Sequence, residues 1–434
     1  MYRKAIEQLQ LWKENKNKKP LIIRGARQVG KTWLMKEFGH TNYENVVYIN
    51  FDNNTQMKTL FSTENRIEQI VVGMEIYTGK KINHSNTLII FDEIQEVPQA
   101  LSSLKYFNEI APEYNIICAG SLLGVALHQG TSFPVGKVEF IDLYPLSFNE
   151  FIQALGKEQY VKLLVDENFE LANSFSHDYI SLLKQYYFVG GMPEAVNDFI
   201  NNHDYQRVRT IQENILIAYE QDFSKHAPNE IVHRLRMLWN SIPAQLSKEN
   251  KKFVYGLVRE SARAKDYELA LMWLSDCGLV HKVHRITTPS LPLKSYEDMK
   301  AFKLFLLDIG LLGCMVNLSS SALIDGNELF KEFKGALTEQ FVLQQIKTLK
   351  NIGTYYWTND RGSAEIDLLI DIETEIVPIE VKAETNLKAK SLKQYCEKFS
   401  PKIAIRSSLA NYKKEQTLTN LPLWAIELIR QHVK

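Results

Sequence analysis

Eight residues near the start of the chain have the types and the spacing of a loop that binds phosphate groups. They read Gly25-Ala-Arg-Gln-Val-Gly30-Lys31-Thr32, after the apolar residues 21–23 and before a segment with helical composition. Glycines allow a tight turn, so that backbone N–H groups and a helix N-terminus converge on anionic oxygens. Lys31 would then contact the β- and γ-phosphates of ATP, and the Thr32 hydroxyl would ligate Mg²⁺. The alternative is a chance glycine turn without a ligand. The residues expected to contact the nucleotide are Gly25, Ala26, Arg27, Gln28, Val29, Gly30, Lys31, Thr32 and Trp33.

Polar residues also follow two apolar segments that are typical of buried parallel strands. Residues 87–92 end in Asp92, with Glu93 directly after it, and residues 115–119 lead into Gly120 and Ser121. Carboxyl ends of parallel strands meet at one sheet edge, where α/β proteins bind ligands. We predict that Asp92 completes the Mg²⁺ shell and that Glu93 orients or deprotonates the attacking water. Ser121 is a candidate sensor of the γ-phosphate, although an ordinary turn explains it equally well.

Length and composition set wide limits on the class of protein. The 434 residues suffice for two to four domains, and 51 basic side chains balance 51 acidic ones. That balance argues against a constitutive, purely electrostatic contact with nucleic acid or a membrane. Four scattered cysteines provide neither a disulfide framework nor a metal-ligand pair. We expect no signal peptide, no membrane span and a cytoplasmic location.

Alternating apolar and helical segments in the first third of the chain predict an α/β fold with a parallel sheet. We assign the P-loop NTPase core to residues 1–150 and a helical lid to residues 151–225. A winged-helix-like module is predicted over 226–310, with helices at 231–242, 251–260 and 264–277 and strands at 279–287 and 301–307. Residues 225–303 hold 14 Lys/Arg against 8 Asp/Glu, a local net charge of +6. This excess is compatible with DNA binding, but a module that only packs domains together explains it too.

A second set of candidate catalytic residues lies in the last predicted domain, residues 311–434. Glu339 is on a predicted helix, Asp367 on a strand within 364–370, and Glu380 and Lys382 on a strand within 377–382. Side chains two apart on a strand point to the same face, so Glu380 and Lys382 can share a site beside Asp367. The carboxylates of Glu339, Asp367 and Glu380 could bind one or two Mg²⁺ ions, with Lys382 steadying the nucleophile or the developing charge. Salt bridges across a small sheet are the alternative.

Several segments together resemble a widespread prokaryotic group of AAA+-like P-loop ATPases with a C-terminal domain of unassigned function. They are GARQVGKTWL, FDEIQ, AGSLLG, LYPLSFNEF, YYFVGGMPEAV and IEVKAE. The resemblance implies nucleotide contact by Gly30, Lys31 and Thr32, a winged-helix joint, and a tail similar to the PD-(D/E)XK, or restriction-endonuclease-like, fold. It also implies that Asp367, Glu380 and Lys382 form the nuclease-like set. Where the group usually has Gly-Arg, this chain has Gly136-Lys137, which lacks the planar fork of an arginine finger.

The leading hypothesis is therefore a Mg²⁺-dependent ATPase that acts as a switch or motor. One alternative is a metal-dependent DNA nuclease that ATP gates, with DNA bound through residues 226–434. Another is a nucleotide-switched module that docks a protein partner. An oligomer is compatible with each hypothesis.

Overall fold

A computed structural model describes residues 1–64, 66–120, 133–248, 251–321, 331–359, 362–385 and 389–433. The chain forms two compact units. The N-terminal unit comprises Tyr2–Tyr144 and Asp276–Gly278, and the C-terminal unit comprises Met1, Pro145–Ser275 and Leu279–Lys434. None of the helices in the described part of the chain is both long enough and apolar enough to cross a lipid bilayer.

The N-terminal unit is a parallel sheet with helices packed against it. Its helices are α1 (Ala5–Glu14), α2 (Lys31–Asn42), α3 (Thr55–Thr63), α4 (Ile67–Thr78) and α5 (Pro98–Ile110). Its strands are β1 (Leu21–Arg24), β2 (Asn45–Asn50), β3 (Thr87–Asp92), β4 (Asn115–Ala119) and β5 (Glu139–Asp142). The five strands lie in the order β2-β3-β4-β1-β5, and every neighbouring pair is parallel. The predicted α/β class and parallel core are confirmed.

Burial explains why the central strands read as continuous apolar runs. Every residue of β3 and β4 is buried, as expected for strands covered by helices on both faces. The aromatic rings of Phe51, Phe61 and Phe91 pack edge to face, with centroids 5.4 to 5.7 Å apart. This core fixes the position of the strand ends, and those ends carry the predicted site.

The C-terminal unit begins with helices and continues into a mixed sheet. Its helices are α6 (Phe148–Ala154), α7 (Glu158–Val165), α8 (Phe169–Ser174), α9 (Ser176–Val189), α10 (Pro193–Asn202), α11 (Tyr205–His226), α12 (Asn229–Leu246), α13 (Ala264–Asp276), α14 (Ile309–Met315), α15 (Lys331–Lys347) and α16 (Lys390–Phe399). Its strands are β6 (Val280–Ile286), β7 (Glu297–Leu306), β8 (Gly353–Thr358), β9 (Glu365–Ile372), β10 (Glu375–Val381), β11 (Ala404–Ser408), β12 (Lys413–Glu415) and β13 (Leu418–Pro422).

These eight strands form one sheet in the order β12-β13-β11-β10-β9-β8-β6-β7. The β6/β7 pair is antiparallel, as the predicted wing requires, but β6 also pairs in parallel with β8. The predicted wing therefore belongs to the same sheet as the predicted C-terminal domain. The division at residue 310 stays a prediction, as does the winged-helix assignment.

The helix predicted over residues 251–260 is wrong. A short 3₁₀ turn covers Tyr255–Leu257, and the backbone before it runs beside β7 instead of coiling. The Phe253 N–H donates to the Phe302 carbonyl at 2.8 Å, and Lys252 forms an isolated bridge with Lys303. This pairing with the edge strand satisfies backbone groups that a helix would have satisfied internally.

The segment Gly190-Gly191-Met192-Pro193 has a packing explanation. The Gly191 N–H donates to Asp308 Oδ2 at 2.6 Å, and Asp308 also caps α14 by accepting from Leu311 N. Gly190 has a φ of 72°, and a Cβ there would lie 2.2 Å from Asp308 Oδ1. Glycine is therefore required where this buried carboxylate approaches the turn.

Candidate nucleotide site and C-terminal carboxylate cluster

The loop between β1 and α2 has the backbone conformation that its glycines predict. Gly25 has a φ of 150°, and a Cβ at this position would lie 2.2 Å from the Leu143 carbonyl oxygen. Gly30 is left-handed with φ 93° and precedes the first residue of α2. Gln28 is also left-handed, with φ 66°, although it carries a side chain. The helix N-terminus thus opens directly behind the loop, as an anion site requires.

Lys31 is buried at the start of α2 and folds back over the loop. Its Nζ donates to the carbonyls of Gly25 at 2.8 Å and Ala26 at 2.7 Å. Burial lowers the pKa of Lys31 to about 8, although the charges of Glu93 and Asp92 oppose that shift. A triphosphate would supply the negative charge that this desolvated ammonium lacks.

Asp92 lies at the end of β3 and joins two hydroxyl groups. Its Oδ2 accepts hydrogen bonds from Thr32 Oγ1 at 2.7 Å and from Tyr48 Oη at 2.8 Å. Burial, and then the charge of Asp92, raises the pKa of Tyr48, so the phenol stays a donor. The ammonium of Lys36 lies 3.8 Å from the centre of the Tyr48 ring. Sequence analysis did not identify Tyr48, because a tyrosine in the middle of a strand has no motif around it.

Glu93 follows Asp92 in a left-handed conformation, with φ 51°. Its N–H donates to Asp92 Oδ1 at 3.1 Å, and its Oε2 accepts from Gln95 Nε2 at 2.6 Å. The amide of Gln95 therefore helps to hold the Glu93 carboxylate in position. A non-glycine residue in this conformation costs free energy, and such residues are frequent at functional sites.

Two further segments border the loop and were missed by sequence analysis. The buried Arg3 guanidinium donates to the carbonyls of Val29 at 2.9 Å and Tyr144 at 2.6 Å. Gly278, with φ 72°, lies so close that a Cβ there would be 3.4 Å from the Ala26 nitrogen. Both are distant from the loop in sequence, so only the fold reveals their contact with it.

Three other residues singled out from the sequence are Trp33, Ser121 and Lys137. Trp33 is 40% exposed on the first turn of α2. Ser121 lies outside the described residues, so its sensor role stays a prediction. Lys137 forms an ion pair with Glu109 at 2.9 Å, within the N-terminal unit. Lys137, at the position where the resembling group has arginine, is thus already paired with a carboxylate.

The carboxylates predicted in the C-terminal unit do converge. Strands β9 and β10 pair antiparallel up to Ile379 opposite Leu368, and these two residues adjoin Glu380 and Asp367 in the sequence. Asp367 Oδ2 accepts from the Val381 N–H at 2.7 Å, and Lys382 Nζ lies 2.5 Å from Glu380 Oε1. We call Glu339, Glu365, Asp367 and Glu380, with Lys251, Lys303 and Lys382, the carboxylate cluster.

Two lysines outside the predicted motif complete this cluster. Lys251 forms an ion pair with Glu339 Oε1 on α15. Lys303 on β7 is fully buried; its Nζ lies 2.5 Å from Glu365 Oε1 and 3.5 Å from Glu339 Oε2. The nearby charges of Glu339 and Glu365 overcome burial and raise the pKa of Lys303, which therefore remains charged. Sequence analysis missed both because they come from a segment assigned to another domain.

Three family models match separate parts of the chain. Residues 17–152 match the AAA domain, residues 180–322 match a domain of unknown function (DUF8612), and residues 334–426 match another (DUF4143). We call residues 17–152 the AAA domain, after the family model that they match. The predicted membership of an AAA-like P-loop ATPase type is confirmed, while the nuclease-like character of the tail stays a prediction.

Three solved structures illustrate what this chain is similar to. The Walker-type ATPase PABY2304 of Pyrococcus abyssi is 15% identical, with 72% of this chain and 95% of that chain covered and a TM-score of 0.46. The Aeropyrum pernix Orc1 protein in complex with DNA is 10% identical, with 73% and 91% covered and a TM-score of 0.27. Cdc6p from Pyrobaculum aerophilum is 11% identical, with 74% and 93% covered and a TM-score of 0.25. No curated protein matches the chain.

The AAA domain has donor atoms that suit Mg²⁺ beside its phosphate loop. The Thr32 hydroxyl and the Asp92 carboxylate meet at 2.7 Å, and hard cations prefer such oxygen ligands. By contrast, no group of three or more His, Cys, Asp or Glu side chains suited to a metal ion is found within the described ranges of the chain. The predicted metal ligands Glu339, Asp367 and Glu380 are close together, but lysines contact Glu339 and Glu380.

The charged groups of the cluster shift one another's pKa values. Burial, and then the negative charges of Glu339 and Glu380, raise the pKa of Asp367 well above its usual range. Burial would also raise the pKa of Glu339, but the charges of Lys303 and Lys251 outweigh it and lower that pKa. Glu339 is thus an ionised partner of lysines, whereas Asp367 is prone to hold a proton.

Proposed function

We propose that the AAA domain binds ATP with Mg²⁺ and hydrolyses it. The observation that carries this proposal is the convergence of Lys31 and the α2 N-terminus with a Thr32–Asp92 pair only 2.7 Å apart. Lys31 and the α2 N-terminus suit the phosphates of a nucleoside triphosphate, and the Thr32–Asp92 pair suits the metal ion bound to it. When ATP binds, the Lys31 ammonium exchanges its hydrogen bonds to the two loop carbonyls for hydrogen bonds to phosphate oxygens.

Each residue has a distinct role in the proposed reaction. The loop amides and Lys31 bind the phosphates, while Thr32 and Asp92 would hold Mg²⁺, which neutralises charge on the transferred phosphoryl group. Glu93 orients a water molecule and accepts its proton, and Gln95 keeps the Glu93 carboxylate in position at 2.6 Å. Tyr48 orients Asp92 through its hydroxyl group.

ATP turnover by variants at Lys31 and Glu93 tests the proposal. Lys31→Ala is expected to abolish ATP binding, and Glu93→Gln is expected to retain binding but to lower kcat by roughly 10²- to 10⁴-fold. Glu96→Gln is the matched control, since Glu96 is an exposed glutamate three residues further along. Wild-type rates in both Lys31→Ala and Glu93→Gln would refute the assignment.

DNA association is a second candidate function, and exposed basic residues favour it. Arg259, Arg263 and Lys265 are exposed just before α13 and in its first turn. Two members of the local basic excess, Lys251 and Lys303, face the carboxylate cluster and are unavailable to DNA. We expect weak, salt-dependent binding of a short duplex that decreases in Arg263→Ala/Lys265→Ala. Binding that is independent of salt, or unchanged in this variant, would contradict it.

Metal-dependent DNA cleavage is not the function that we propose for the tail. The juxtaposition of Asp367, Glu380 and Lys382 supports such chemistry, but Lys251 and Lys303 contribute two further ammonium groups. A protein partner and an oligomeric assembly remain predictions.

A further inference from the structure

Two lysines reach the carboxylate cluster from a part of the fold that the Glu-x-Lys motif does not include. Lys303 is on β7, which β8 and β6 separate from β9 in the sheet, and its side chain is completely buried. Its ammonium lies 5.0 Å from the centre of the Tyr356 ring, in addition to its contacts with Glu365 and Glu339. Lys303 is therefore surrounded by groups that favour a cation.

Lys251 is placed by an unusual backbone conformation. It has a φ of 46°, which is left-handed, and the residues that follow it are tied to β7 by the Lys252–Lys303 bridge and the Phe253–Phe302 hydrogen bond. A non-glycine residue adopts this conformation only where the surrounding structure holds it. Here the ion pair with Glu339 and the pairing with β7 act together.

The positive and negative charges of the cluster nearly balance one another without a metal ion. With every group ionised, four carboxylates face three ammonium groups and the net charge is −1; with a proton on Asp367 it is 0. A divalent cation added to this set would give a net charge of at least +1 in a largely buried place, and buried uncompensated charge is costly. The lysines thus already provide most of the compensation that carboxylates of a metal site obtain from the metal ion.

We propose that Lys251 and Lys303 take the place of a divalent cation in the carboxylate cluster, and that they exclude Mg²⁺ and Mn²⁺ from it. The tail then keeps the acidic residues of a metal site as a structural ionic cluster. Two carboxylate oxygens, Glu339 Oε2 and Glu380 Oε2, are buried and accept no hydrogen bond from the described residues. Those oxygens are the positions that a divalent ion would use once a lysine side chain is shortened or made neutral.

Direct counting of bound Mn²⁺ by electron paramagnetic resonance tests the proposal on the full chain without nucleotide. All proteins would carry Asp92→Asn, which removes the predicted carboxylate ligand of the metal ion in the AAA domain. The parent is expected to bind no Mn²⁺ in the cluster. Lys251→Met is expected to bind one Mn²⁺ in the cluster at a concentration at least about tenfold below any at which the parent binds it, because one positive charge a few ångströms away is gone. Lys300→Met, an exposed lysine on the same strand as Lys303, is the matched control and should not gain binding.

Two results would overturn the proposal. The first is Mn²⁺ binding by the parent that Asp367→Asn or Glu380→Gln abolishes, since the cluster would then be a working metal site. The second is a folded Lys251→Met protein that gains no Mn²⁺, because the lysine would then not be what excludes the ion. Thermal denaturation followed by circular dichroism establishes folding, and it offers a second measurement. Mn²⁺ should raise the unfolding temperature of Lys303→Met but not that of the parent.

Discussion

The AAA domain and the carboxylate cluster use the same kinds of side chain in opposite ways. In each, buried strands place an aspartate and a glutamate near a lysine. In the AAA domain, Lys31 donates to backbone carbonyls, while the hydroxyl groups of Thr32 and Tyr48 donate to Asp92. In the cluster, lysines contact Glu339, Glu365 and Glu380 directly.

This difference determines what each place can accept. Lys31 and Asp92 donate to and accept from other groups instead of each other, so their charges stay available to a phosphate and a cation. Lysine and carboxylates that are paired have already compensated one another, and an added ion must displace a partner. The residue types at the ends of strands therefore do not identify a metal site until their partners are known.

The largest expected effect is on the stability of the two regions. Lys303→Met should destabilise the C-terminal unit by about 3–5 kcal/mol, because it leaves Glu365 and Glu339 as buried carboxylates with a partner removed. Lys31→Met should leave the AAA domain unchanged or slightly more stable, because burial already disfavours the charged lysine there. Urea unfolding followed by circular dichroism and by tryptophan fluorescence measures both.

The control for this prediction removes a carboxylate together with the lysine. Lys303→Met/Glu365→Gln should recover part of the lost stability, since the two side chains contact each other at 2.5 Å. Equal destabilisation by Lys303→Met and Lys31→Met would contradict the distinction between the two regions.

The same two regions show what sequence could and could not predict. The loop, Asp92 and Glu93 lie where their motifs indicate, because β1 and β3 are continuous apolar strands with unambiguous ends. Strands β9 and β10 were also predicted, and with them the approach of Asp367 and Glu380. These features depend on patterns that are local in the sequence.

Contacts between distant segments were not predictable in this way. Lys251 and Lys303 reach Glu339 from 88 and 36 positions earlier in the sequence, and Tyr48 reaches Asp92 from 44 positions earlier. The helix predicted at 251–260 failed for the same reason, since pairing with β7 overrode local propensity. Predicting the residues that neutralise or orient a site therefore requires knowledge of the fold.

A smaller effect concerns the pH dependence of ATP binding. The pKa of Lys31 is about 8 in the nucleotide-free protein, and a bound triphosphate would raise it. Below pH 8 the lysine is protonated with and without ATP, so its ionisation contributes no pH dependence. Above pH 8 binding must take up a proton, and the Kd for ATP should rise by up to about tenfold per pH unit.

Isothermal titration calorimetry in two buffers of different ionisation enthalpy measures this proton uptake. The proton uptake should be close to zero at pH 7. It should approach one proton per ATP between pH 8 and the higher pKa that Lys31 has in the ATP complex. Lys31→Met provides the control, since the residual binding of this variant should lack the uptake. The same uptake in both proteins would assign the proton to another group.

The smallest effect should come from the hydroxyl group that orients Asp92. Tyr48→Phe keeps the ring beside Lys36 but removes the 2.8 Å hydrogen bond to Asp92 Oδ2. The loss of one such bond costs about 0.5–1.5 kcal/mol, which corresponds to a roughly two- to tenfold higher Mg²⁺ concentration at half-maximal ATPase rate. Tyr77→Phe, on the exposed surface of α4, is the matched control. If Tyr48 served packing alone, the phenylalanine variant would retain the Mg²⁺ requirement of the wild type, because the ring and its contacts are preserved.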